Sequence, residues 1–320
     1  MDSGRGRPAR ALVARAMIAL AVAAAMGACG GGPPAEAERI DAASAVGREA
    51  IRVADDAGRS IELRRPAERI VSLVPSVTGT IVALGAADRL VARTRYDVDP
   101  ALAHLPSLGG GLDPSVEGIL DLAPDLVVAW NARDDRALVP RLRAAGIPVY
   151  AAEIQDTTGI FRTFDRVGRL LGLPARGDSL AAALRDSLAA VSADVSPGER
   201  PTAIYLMMGE PPQLAGPSTF IGQALSVAGA DPAFPELSED WPTVSLEAVV
   251  ARDPDVIVLP VGPDLPGRDA LDGTAGWRDL SAVRAGRIVE IEADLLARPG
   301  PELGRAARLL HEGLTAVAPP

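Results

Sequence analysis

One fourteen-residue pattern occurs twice in this chain. SVEGILDLAPDLVV, Ser115 to Val128, returns 130 positions later as SLEAVVARDPDVIV, Ser245 to Val258, with Ser, Glu, Pro and Asp at identical offsets between matching apolar steps. A fold that holds such a duplication needs two comparable places for it. Ser115 and Ser245 read as helix N-caps, which puts Glu117 and Glu247 at the second helical position, where the helix dipole favours a carboxylate by roughly 0.3–1 kcal/mol. Pro124-Asp125 and Pro254-Asp255 then stop that helix and start an apolar run that reads as a buried strand. Each copy is a helix-turn-strand unit of a parallel sheet, and two copies mean two lobes.

The text around the copies agrees. From Arg52 to Leu63, Val53, Ile61 and Leu63 alternate around Asp55-Asp56-Ala57-Gly58, the pattern of a β-hairpin. RIVSLVP, ending at Pro75, reads as a strand, and TGTIVALG as a helix that stops at Gly85. With RLVART, the first copy and IPVYAAE, strand and helix alternate through residues 49–177, an α/β lobe with a mostly parallel sheet. Over 178–196 the pattern changes. Leu180, Leu184, Leu188 and Val191 fall on one face of an Ala-rich run, with Asp178 or Ser179 as N-cap and Pro197-Gly198 beyond, so a single helix joins the lobes. The alternation restarts with TAIYLMM, FIGQALSVAG, the second copy, RIVEIEA and a last helix over PELGRAARLLHEGLTAV, which makes 197–320 the second lobe.

The beginning of the chain is of another kind. Arg5, Arg7, Arg10 and Arg15 precede an apolar run from Ala16 to Met26, followed by Gly27, Ala28 and Cys29, the layout of a secretory signal over residues 1–28. That run is shorter than the roughly 20 residues a bilayer span needs. The stretch GGGPPAEAE makes 29–48 a flexible linker by composition. Loss of residues 1–28 would remove four Arg and one Asp and take the formal charge from −10 to −13, which argues against a nucleic-acid partner. Cys29 is the one cysteine, so no internal disulfide is available and the lobes must rely on their cores.

Ligands of open α/β sheets gather beyond the carboxyl ends of strands. That places Trp130, at the end of LVVAW, Tyr96 and Asp97, after RLVART, and Trp241, in the loop DWPTVS, among candidate ligand contacts. Glu117 and Glu247, one on each lobe, form a pair that a two-fold partner bearing basic residues could read by charge. Catalytic and metal signals are weak. The two histidines, His104 and His311, fit no nucleophile triad, Gly109-Gly110-Gly111 lacks the spacing of a phosphate loop, and no cluster of Cys and His suggests a metal site.

These features together resemble the extracytoplasmic substrate-binding proteins of ABC importers, in the branch that handles cobalamin and ferric siderophores. IRVADDAGRSIEL with PAERIVSLVPSVT is similar to that branch's opening, and LDPSVEGILDLAPDLVVAW and WPTVSLEAVVARDPDVIVL to its two hallmark segments. Met-Gly-Ala-Cys resembles a bacterial lipobox, which implies cleavage before Cys29, lipid on that residue and an exported, membrane-anchored protein. The family implies two α/β lobes joined by one long helix, a ligand held between them, no enzymatic activity and no resident cofactor or metal, and a monomer is expected. It also implies that Glu117 and Glu247 dock onto an ABC permease with its ATPase. Trp130 and Trp241 would line a corrinoid site, Pro75 and Ser76 of PSVT would sit at the cleft, and Arg298 would border it. Gly79 where many members carry Glu, and Leu295 and Leu296 where cobalamin binders can be aromatic, are departures. A corrinoid is the expected ligand, and a ferric siderophore or haem the alternative. A secreted enzyme using Asp97 and Glu153, or a ligand-sensing module, is more remote.

Overall fold

Alternation along the strands fixes how the layers pack, because successive side chains of a strand point to opposite faces. In the computed structural model, which describes residues 50–110, 114–131, 138–198, 200–263, 265 and 267–317, the central strands of each sheet are buried and largely apolar on both faces, as a sheet covered on two sides requires. Cys29, the signal and the linker lie outside the described residues.

The hairpin pairs β1 (Ile51–Ala54) with β2 (Ser60–Leu63) antiparallel, Val53 opposite Ile61. The first lobe runs β3 (Ile70–Ser72), α1 (Pro75–Ala83), β4 (Leu90–Ala92), α2 (Val116–Asp121), β5 (Leu126–Trp130), α3 (Leu138–Ala144), β6 (Val149–Ala152) and α4 (Thr157–Leu170). Its four strands are all parallel, in the order β4-β3-β5-β6. After the connecting helix α5 (Pro174–Asp194) come β7 (Thr202–Gly209), β8 (Pro212–Leu214), α6 (Phe220–Ala228), β9 (Asp231–Pro232), α7 (Leu246–Arg252) and β10 (Val256–Val261). α8 (Asp269–Gly273), α9 (Ser281–Arg284), β11 (Ile288–Glu292), α10 (Ala293–Ala297) and α11 (Leu303–Val317) complete it. The second sheet is ordered β11-β10-β7-β8, with β8 antiparallel and β9 also pairing β7.

Ile70 and Val128 of the first sheet, and Tyr205, Val256 and Val258 of the second, enter one common core with Phe164 of α4, Leu184 of α5 and Leu310 of α11. Their neighbours Val71 and Val127, and Ile204 and Ile257, fill two separate cores on the outer faces. Each fully buried aliphatic side chain contributes roughly 1.5–3 kcal/mol. The lobes are thus joined by shared packing as well as by a helix.

Two helix starts differ from the sequence reading. The connecting helix opens at Pro174, not at Asp178 or Ser179, and Asp178 lies inside it. Proline suits the first helical position because its missing N–H would have no partner there. The same effect moves Pro75 from the end of a strand to the first turn of α1, so β3 stops at Ser72. Gly177 lets α5 cross α4 closely, since a Cβ there would come within 2.6 Å of the Phe164 carbonyl oxygen.

The duplicated segment is built alike in both lobes. Ser115 caps α2 by accepting from Gly118 N at 3.1 Å, and Ser245 caps α7 by accepting from Ala248 N at 3.1 Å. Each helix stops at a left-handed residue before the proline, Ala123 with φ 44° and Asp253 with φ 43°. The following aspartate then holds the neighbouring strand. Asp125 accepts from Glu68 N at 3.0 Å and Arg69 N at 2.9 Å, just before β3, while Asp255 accepts from Thr202 N at 2.9 Å and Thr202 Oγ1 at 2.7 Å, at the start of β7.

Candidate functional site

The carboxyl ends of β5, β6, β7 and β10 converge on a cavity of about 440 Å³ between the lobes. Trp130 and Ile154 supply its wall from the first lobe, and Tyr205, Phe220, Trp241 and Leu296 from the second. Trp130 is in place because it ends β5, whose next residue, Asn131, donates N–H to Ala152 O at 2.9 Å. Trp241 lies on a loop stitched to β8 and the residues after it, through Leu214 N to Pro242 O at 3.0 Å and Gly216 N to Asp240 O at 2.8 Å. Its ring meets Phe220 edge to face, centroids 6.1 Å apart.

The polar groups of this cavity are few. Glu153 accepts from Asn131 Nδ2 at 2.7 Å, and its own N–H donates to Asp56 at 2.8 Å. Asp56, on the hairpin, is held in turn by Arg162 and Arg166, so the hairpin fixes the backbone at Glu153. Tyr205 is 4% exposed, and burial raises its phenol pKa far above the ordinary value, keeping the hydroxyl protonated. No hydrogen-bond partner of Tyr205 Oη, or of the Gln155 side chain, exists among the described residues. Behind the cavity, Phe220 N donates to Gln155 O at 2.8 Å and Thr157 N to Gln223 Oε1 at 2.9 Å, both between the lobes.

A second cavity, of about 570 Å³, also spans the lobes. Pro75, Ser76 and Asp97 line it from the first lobe and Leu295 and Arg298 from the second. Asp97 is 5% exposed, and its carboxylate receives Thr94 N at 2.6 Å and Thr94 Oγ1 at 2.7 Å. Arg298 pairs with Asp294 at 2.9 Å. Tyr96, 50% exposed beneath the Arg95 guanidinium, lines neither cavity. The sequence-derived candidates are therefore divided, with Trp130, Trp241 and Glu153 at the first cavity, Pro75, Ser76, Asp97 and Arg298 at the second, and Tyr96 outside both. Asp97 and Glu153, the acids an enzyme would need together, fall on different walls. Tyr205, Gln155 and Phe220 escaped the sequence reading. For Tyr205 the usable signal was an aromatic residue inside the apolar strand TAIYLMM.

Away from the cavities, Glu117 and Glu247 are exposed at the second position of α2 and α7. Backbone N–H groups at the start of α2, then the Arg141 charge at 3.0 Å, hold the Glu117 carboxyl below the ordinary range. Glu247 has no ion-pair partner among the described residues. One helical turn beyond each acid stands an exposed apolar side chain, Leu120 and Val250, again 130 positions apart. Among the described residues, no group of three or more His, Cys, Asp or Glu is placed to hold a metal ion, and no helix is long and apolar enough to cross a membrane.

Comparison with known proteins bears on this arrangement. The family described as periplasmic binding protein matches residues 70–295. A cobalamin-binding protein of Halobacterium salinarum is 31% identical, with 96% of this chain and 85% of that protein covered. The solved vitamin B12 binding protein BtuF of Vibrio cholerae is 26% identical at a TM-score of 0.66, covering 79% of this chain and 98% of that one. The periplasmic haem-binding protein RhuT of Roseiflexus sp. RS-1 is 27% identical at a TM-score of 0.68, covering 77% and 99%.

Proposed function

The chain belongs to the periplasmic binding protein family, and on that premise we propose that it delivers a corrinoid to an ABC importer as a lipid-anchored extracytoplasmic protein. The observation that carries the ligand is the first cavity. Two tryptophans, one from each lobe, face an otherwise apolar space with Glu153, Gln155 and Tyr205 as its few polar handles. A corrin ring presents a broad apolar face and an amide fringe, which such a wall suits. Relatives described as cobalamin-binding point the same way. Haem is the second reading, favoured by the haem-binding relative of comparable likeness. It asks for an axial ligand to iron, for which Tyr205 is the phenol on the cavity wall.

Docking to the permease falls to Glu117 and Glu247. Their matched positions in a repeated unit suit a partner with two-fold related basic groups, and Leu120 and Val250 add an apolar contact beside each acid. Cys29 carries the lipid in this reading, and the linker over 29–48 spaces the lobes from the membrane.

Calorimetric titration with cyanocobalamin, cobinamide, haem and ferric siderophores tests the ligand. One-to-one corrinoid binding that weakens at least about tenfold in Trp130→Ala and in Trp241→Ala is the expected result, tenfold being about 1.4 kcal/mol. Silence from both corrinoids with heat from haem or an iron chelate would overturn the corrinoid while leaving the family untouched.

A further inference from the structure

The first cavity, at about 440 Å³, lies toward the lower end of the roughly 300–1,000 Å³ typical of ligand sites. A macrocyclic metal complex with peripheral side chains overfills it. The space next to it is the second cavity, and α10 is a wall of both. Ala293, Leu296 and Ala297, at helical spacing i, i+3 and i+4, face the first, while Asp294 and Leu295 face the second. A ligand edge that passes this short helix meets a different chemistry.

Five carboxylates line the second cavity, from Asp97, Asp99, Glu292, Asp294 and Glu302, against the two guanidinium groups of Arg298 and Arg305. Neither cation is free. Arg298 pairs with Asp294 at 2.9 Å, and Arg305 with Glu302 at 3.6 Å. Asp97 is consumed by Thr94, and Asp99 accepts from Ala101 N at 2.8 Å. Glu292 has no polar partner among the described residues. Ser76, 3% exposed in the first turn of α1, lies on this wall with its hydroxyl buried and without a hydrogen-bond partner among the described residues.

We propose that the second cavity is an acceptor-rich subsite that takes a hydrogen-bond-donating, neutral or cationic edge of the ligand and turns away anionic chelates. The wall offers carboxylate oxygens to amide or ammonium N–H groups, whereas a carboxylate or catecholate edge would meet surplus negative charge with no unpaired cation to receive it. This deepens the reading of a cleft-bound metal complex. Charge then separates ligands that share a ring.

The test uses the purified full chain and two pairs of probes, each pair alike in its metal centre and opposite in its edge. The corrin pair is dicyanocobinamide, with amide side chains, and dicyanocobyrinic acid, with free carboxylates. The iron pair is a cationic ferric trihydroxamate and a trianionic ferric tris-catecholate. The amide corrinoid is expected to bind at least about tenfold more tightly than the acid, with the gap narrowing between about 20 mM and about 500 mM salt as exposed charges are screened. Asp99→Asn, Glu292→Gln and Glu302→Gln combined keep acceptor oxygens and remove charge, so the acid is expected to gain several-fold. Equal affinity for the two corrinoids, or a gap that salt and the triple variant leave unmoved, would overturn the proposal while the corrinoid reading stood. Silence from both corrinoids, with the trihydroxamate bound well above the catecholate, would do the reverse. A tighter catecholate, or no binding by any of the four, would refute the subsite.

Discussion

The Pro-Asp pair of each repeat does more than end a helix, and its aspartate can be tested directly. Asp125 accepts two main-chain N–H groups, from Glu68 and Arg69, with its side chain 26% exposed. Asp255 accepts the N–H and hydroxyl of Thr202, and its own N–H donates back to Thr202 Oγ1 at 3.1 Å. A hydrogen bond to a charged group is worth about 1.5–3 kcal/mol, less where water can replace the partner. Asp125→Ala is therefore expected to cost about 2–3 kcal/mol, and Asp255→Ala a similar amount. Asp125→Asn keeps one acceptor oxygen and should cost about half as much. The two residues hold different sheets and share no partner, so the double variant should add to within about 0.5 kcal/mol. Urea unfolding followed by far-ultraviolet circular dichroism reads the change as a shifted midpoint at constant slope. Since neither residue lines either of the two cavities between the lobes, ligand affinity of the folded variants should stay at the parent value. A loss below about 0.5 kcal/mol in both alanine variants would refute the strand clamp and return Pro-Asp to the role of a helix stop.

Other expectations follow from the same geometry. Gly216→Ala drives a Cβ into the Glu239 carbonyl oxygen, so the loop that carries Trp241 must move, and calorimetry should show ligand affinity falling at least about tenfold. Burial raises the phenol pKa of both Tyr150 and Tyr205. The unfolded chain therefore loses these protons first, and stability should hold up to about pH 10 and fall above it; near-ultraviolet titration showing both phenolates before unfolding would contradict the burial. Reversal of both docking acids, Glu117→Arg with Glu247→Arg, should leave ligand affinity intact and abolish uptake in cells, whereas unchanged uptake would leave the two carboxylates with the helix dipole alone.

What the sequence revealed was local. Ser115 and Ser245 cap helices because a hydroxyl placed just before an apolar helical run satisfies an N–H whatever surrounds it, and the hairpin from Ile51 to Leu63 follows from alternation around Asp-Asp-Ala-Gly. Competing local signals produced the errors of boundary. Asp178 and Ser179 are good caps, but Pro174 stands earlier and opens α5 at its first position, and the close packing against α4 at Gly177 lies within the added turn. The candidate site was legible only where an aromatic residue ended a strand or interrupted a polar loop, as at Trp130 and Trp241. Tyr205 and Phe220 stand inside an apolar strand and an apolar helical run, where nothing marks them as ligand contacts. They do line the core, and they reach the cavity because the two sheets share it.

That shared core also bears on the docking proposed for Glu117 and Glu247. Each lobe owns one copy of the repeat, and each copy fixes its acid to the lobe's sheet through the cap, the left-handed stop and the aspartate clamp. The placement of Glu117 relative to Glu247 is then set by what joins the lobes. The joining elements are α5, the common core, and the hydrogen bonds from Phe220 N to Gln155 O and from Thr157 N to Gln223 Oε1. The latter two lie directly behind the tryptophan-walled cavity, and Gln155 and Phe220 belong to its lining. A ligand that moves one lobe against the other at this segment shifts one acid against the other. A membrane partner that must touch both carboxylates would therefore sense the state of the cleft without contacting the ligand, because only a change between the lobes alters their spacing.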